Sequence, residues 1–278
     1  MLGKVIKYEF KEMKFILVAA AIGLAAITVI ALCLEAIPVW IFGSNAANTN
    51  ALAMFLINLI FLGYLFIRIA SGIGMYVYMG FRFYKTMYSG IGYFTNALPI
   101  KRNELILGKV ITAVIIQSIV TAMIFASGAL ISFGFVVSQD GFGDLMLYIA
   151  RLTGGIANGY IIGNYGILLG VFFIAVTSIT HIISITMLLF LSTSLGQLFN
   201  SNRILMSIIA FIALNRVFSA IDAIINFMAI ILSGDNYIHI VSITNVITMI
   251  LTMARNIIIA MIAYTIIHYI LRNKLNLE

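Results

Sequence analysis

The sequence predicts an all-α integral membrane protein: six transmembrane helices, an amphipathic interfacial helix ahead of the first, and a basic segment between the second and third. Three observations predict it. The 278 residues are 63% hydrophobic and only 9% charged, with a mean hydropathy of +1.15, whereas soluble domains are about half apolar and a quarter charged. Six apolar runs each exceed the ~20 residues that a helix needs to cross the hydrocarbon core. The basic residues collect at alternate ends of those runs rather than on one face. Strands are a poor alternative, because a lipid-facing strand leaves backbone amides unpaired. The whole chain, residues 1–278, reads as one transmembrane domain.

Residues 1–14 come first. Leu2, Val5, Ile6, Phe10 and Met13 share one arc of a helical wheel, and Lys4, Lys7, Lys11 and Lys14 share the opposite one. That pattern predicts a separate interfacial helix with its lysines toward anionic headgroups. Glu9 falls inside the apolar arc. It reads either as a snorkelling carboxylate or as the partner of a basic residue in segment 80–109.

The first span covers about 15–37. Lysines precede it as in a signal peptide, but the run is longer than a signal h-region and five more follow, so it reads as a retained anchor. Cys33 lies within it, the single cysteine of the chain, and reads as a small buried hydrophobe. The second span covers 51–79. Then comes GFRFYKTMYSGIGYFTNALPIKRNELILGK, residues 80–109, basic and punctuated by glycine. It places Tyr93, Phe94 and Leu98 beside Lys101 and Arg102, so it carries both grip and charge.

The third span, 107–137, leads into a loop at 138–159, where Asp140, Gly141, Gly143, Asp144, Gly154 and Gly155 predict turns around a short amphipathic piece. Residues 160–197 would make roughly 57 Å of helix. One crossing preceded by a re-entrant or interfacial piece near Gly163, Gly166 and Gly170 fits best. The last two spans are 203–232 and 243–271.

With the N-terminus inside, inner segments hold Lys4, Lys7, Lys11, Lys14, Arg82, Lys85, Lys101, Arg102, Lys109, Arg203, Arg272 and Lys274, twelve of the sixteen basic residues. Outer segments hold Arg151 against Glu35, Asp140, Asp144 and Asp235. Both termini are therefore expected in the cytoplasm and the chain in the cell membrane. The net charge of +7 is spread over span edges, so it marks membrane lipid as the partner and not nucleic acid.

No enzyme motif emerges. Gly3-Lys4 and Gly108-Lys109 are each followed by valine, so no P-loop hydroxyl is present for magnesium. His181, His239 and His268 are far apart and form no H-E-x-x-H. GFGD at 141–144 resembles the motif of intramembrane aspartyl proteases, but it lies in a polar loop, and the other aspartate, Asp222, lacks a neighbouring tyrosine. No cofactor is expected on this chain. Ionisable groups inside spans are costly and draw attention: Arg68, Arg216, Asp222 and Arg255. Span four adds Thr177, His181 and Ser184 on one helical stripe. These seven residues are the candidates to line a polar pathway, with helix–helix contact the plainer role.

Three segments together resemble the membrane subunit of type-2 ATP-binding-cassette exporters (ABC-2-type permeases) of Gram-positive bacteria. LGKVIKYEFK looks like their elbow helix, RFYKTMYSGIGYFTNALPIKRNELILGK like the segment between their second and third spans, and YILRNKLNLE like their basic ending. The resemblance implies a cytoplasmic ATPase in two copies, which binds ATP and magnesium. It implies a second permease, either another copy or a sibling. It also implies a coupling helix within 85–104 that docks on the ATPase. Tyr93, Phe94 and Leu98 would be its anchors, Pro99 its breaker, and Lys101 and Arg102 its charged rim. Family members often carry an acid just before the Gly-Tyr, where this chain has Ile91. Two other classes remain: an ion-coupled carrier, for which Asp222 is the only deep carboxylate, and a non-transporting immunity or sensor subunit. The residues do not name a cargo.

Overall fold

The computed structural model describes residues 2–42, 51–97, 100–159, 166–199, 202–233 and 237–273. Among them are seven α-helices: α1 Leu2–Phe42, α2 Ala51–Met87, α3 Gly90–Ala97, α4 Arg102–Gly159, α5 Gly166–Gly196, α6 Arg203–Ser233 and α7 Tyr237–Asn273. Six of these contain a stretch long and apolar enough to cross a membrane: Leu2–Cys33, Leu62–Met87, Arg102–Ile131, Phe172–Gly196, Arg203–Met228 and Thr248–Asn273. The fold is that of a multi-pass helical membrane protein.

Four sequence expectations change. The interfacial helix is not a separate element, because α1 runs unbroken from Leu2 to Phe42. No glycine or proline interrupts residues 4–22, so nothing forces a bend. Its apolar arc also packs inward in part: Val5 and Met13 are buried. The expected loop at 138–159 is helical, since α4 continues to Gly159. Each glycine there costs about 1 kcal/mol of helix propensity, but no proline stops the helix. Gly166 and Gly170 lie within α5, not in a re-entrant piece, while Gly163 lies outside the described residues. Segment 80–109 is largely helical: α2 extends to Met87, α3 follows after a turn, and α4 starts at Arg102.

The chain divides into two compact units. One comprises Met1–Phe10, Tyr76–Ile115 and Ile156–Glu278, and the other Lys11–Met75 and Ile116–Gly155. In the first, α5 packs against both α6 and α7, and α6 against α7. Phe83 of α2 stacks on Phe190 of α5 with centroids 4.1 Å apart. Tyr88 closes that contact, its ring edge-on to Phe83 and its hydroxyl donating to Ser194 Oγ at 2.7 Å. Burial pushes the Tyr88 phenol well above its ordinary pKa, so it stays a protonated donor. In the second unit, Ala31, Tyr64 and Ile131 form a small core backed by Ile27 and Leu32, and Tyr64 shares a 2.9 Å hydrogen bond with Ser127.

Tight helix contacts rest on glycines. A Cβ on Gly108 of α4 would lie 2.6 Å from Val5 Cγ1, so its absence lets α1 and α4 meet. The turn into α6 uses Asn202 at φ 53°, a left-handed conformation that asparagine tolerates better than most side chains.

Candidate functional site

Three helix ends converge on Glu9 of α1. Its Oε2 accepts hydrogen bonds from Arg82 Nε and Nη2 of α2 at 3.2 and 2.9 Å. Its Oε1 accepts one from Lys109 Nζ of α4. Lys109 Nζ also donates to Thr86 Oγ1 at 2.9 Å. The Lys109 side chain is only 5% exposed, so this is a largely buried charged cluster in which Glu9 bridges Arg82 and Lys109. A carboxylate in an apolar arc is thus explained by two basic residues of segment 80–109, the partner region that the sequence suggested.

Between the two cations in sequence lies α3. Phe94 is 79% exposed and Ile91 is also exposed. Lys101 and Arg102 are exposed as α4 begins. Arg102 is not only a rim residue, since its Nη1 donates to Leu271 O at 3.1 Å. Leu271 lies in the last turn of α7, where carbonyls have no intrahelical partner and cations are favourable. The Tyr93 side chain, Leu98 and Pro99 lie outside the described residues.

A second polar group forms among α5, α6 and α7. Arg255 of α7 is ion-paired with Asp222 of α6; the two side chains are 10% and 38% exposed. Arg255 Nη2 donates to Asn256 Oδ1 at 2.6 Å, and Asn256 Nδ2 donates to Thr180 Oγ1 of α5 at 3.4 Å.

The other predicted residues scatter. Thr177, His181 and Ser184 share a stripe but not an environment: Ser184 is buried and His181 exposed, while Thr177 donates to Phe173 O of its own helix at 2.7 Å. Arg68 belongs to the second unit, where its Nη1 would lie 2.9 Å from a Cβ placed on Gly128. It lies about 28 Å of helix from the end of α2 at Met87. Arg216 is exposed in the middle of α6. The sequence missed Asn256; the signal was an amide beside an in-span arginine. Among the described residues no three His, Cys, Asp or Glu side chains gather as a metal site requires.

The chain matches no protein-family model, and no curated protein or solved structure is significantly similar to it.

Proposed function

We propose that the chain is the permease subunit of an ATP-binding-cassette transporter in the cell membrane, with both termini cytoplasmic. It moves a substrate outward with energy from ATP hydrolysed on a separate ATPase, present in two copies, and works beside a second permease. One observation carries this reading: an eight-residue helix, Gly90–Ala97, lies between two membrane-spanning helices with Phe94 79% exposed and Lys101 close by in sequence. An exposed aromatic with a charged flank is the usual make-up of a docking anchor. The Glu9 cluster suits force transmission, because it ties α1 to α2 and α4, the helices that precede and follow α3 in the chain. The carrier alternative needs Asp222 free to exchange ions, but Arg255 already engages it.

The test is purification of the chain from its native membranes together with a Walker-motif ATPase, the partner this reading expects. Ile91→Ala combined with Phe94→Ala should cut recovered complex and permease-stimulated ATP hydrolysis by about tenfold, the loss of one strong anchor. Because both side chains are exposed, the variant's own unfolding midpoint should not move. A complex that survives intact would overturn the docking assignment.

A further inference from the structure

Helix α6 is the least enclosed of the membrane-spanning helices: 6% of its most apolar window is buried, against 17–39% for the others. On it, Ala213, Arg216, Ala220 and Ala223 are all exposed. Their spacing of three, four and three residues sets them on one stripe. The Arg216 guanidinium makes no ion pair or hydrogen bond with a described residue. It lies thirteen residues from Arg203 and twelve from Met228, the ends of that apolar stretch. About 18–20 Å of helix therefore separates it from either end, farther than a side chain reaches by snorkelling. An arginine left in hydrocarbon at that depth costs about 3 kcal/mol.

We propose that this face of α6 is an interface with a different membrane-spanning chain, which presents a carboxylate to Arg216 near the middle of the bilayer. The flanking alanines let a second helix approach closely, as small residues do in membrane interfaces. The partner is not a second copy. A two-fold axis along the membrane normal keeps equivalent residues at one depth, so a homodimer across this stripe would set Arg216 against Arg216. The one deep carboxylate in the sequence, Asp222, lies six residues on, about 240° around the helix, and is engaged by Arg255. This narrows the second-permease reading above to a sibling chain, and it stands whether or not an ATPase docks.

The experiment places a photo-cross-linking benzoyl-phenylalanine at Ala220 of the full-length chain in its native membranes, with the cross-linked peptide sequenced by mass spectrometry. The expected product joins α6 to a membrane-spanning segment of another protein that contains Asp or Glu. Arg216→Glu should then lower recovery of that pair about tenfold, and changing the partner's acid to arginine should restore it. A product between two copies of the chain, a product lacking an in-span acid, no protein product at all, or a charge swap without rescue would each overturn the proposal. Loss of ATPase docking with the cross-link intact would remove the transporter reading alone.

Discussion

Replacing Glu9 by glutamine would leave Lys109 and Arg82 facing a neutral amide in a largely buried setting. Removing one partner of a buried ion pair is costly because the other charge stays desolvated. Glu9→Gln should therefore lower unfolding free energy by about 3 kcal/mol, read by denaturant titration of the purified protein. A double-mutant cycle with Lys109→Met should show positive coupling, since the two side chains are in contact. A change below about 0.5 kcal/mol would mean the cluster is solvated and not structural. This residue was half legible in the sequence: an acid inside an apolar arc stands out on a wheel, and segment 80–109 offered basic residues as its partners. The Arg255–Asp222 pair was not, because periodicity along one helix says nothing about which residue of another helix it meets. Thr180, one step off the predicted stripe, shows the same limit.

Between elements, contact distance is set by what the neighbour of each glycine can do. At Gly196 an added Cβ would lie 2.0 Å from Ser207 Oγ, 2.7 Å from Arg203 O and 2.8 Å from Ser207 N. Two of those are backbone atoms at the start of α6, which cannot rotate away. At Gly80 the obstacle is the Leu189 side chain, at 3.1 Å or more. Gly196→Ala should thus cost about 2–4 kcal/mol and Gly80→Ala about 1 kcal/mol or less, both measured by the same denaturation. Adding Ser207→Ala to Gly196→Ala should recover little, since the carbonyl and amide remain. Equal effects at the two sites would contradict the α5–α6 geometry. Helix limits were legible wherever the chain supplies a stop. For α6 the expected 203–232 is observed as Arg203–Ser233, with Asn202 turning the chain just before it. They were not legible near residue 14 of α1 or beyond residue 137 of α4, where lysines or glycines suggested ends that the backbone, with no proline at either place, does not need.

For the whole molecule, the alternation of basic span edges implies that consecutive helices run in opposite directions. The contacts of the first unit agree end by end. Glu9 joins the start of α1 to the end of α2 and the start of α4. Tyr88 joins the end of α2 to the end of α5. Arg102 joins the start of α4 to the end of α7, and Gly196 abuts Ser207 near the start of α6. Six helix ends thus share one side, as six successive crossings demand. The side they share carries the basic residues, and basic flanks stay in the cytoplasm. A single cysteine at position 101, Lys101→Cys with Cys33→Ser, decides which side that is. In intact cells it should react with a membrane-permeant maleimide and resist an impermeant one, then react with both once the cells are opened. Lys101 is exposed, so lack of reaction after opening is not expected from burial. Labelling by the impermeant reagent in intact cells would put Phe94 and α3 outside, beyond reach of any cytoplasmic ATPase, and would end the transporter reading while leaving the six-helix fold as it stands.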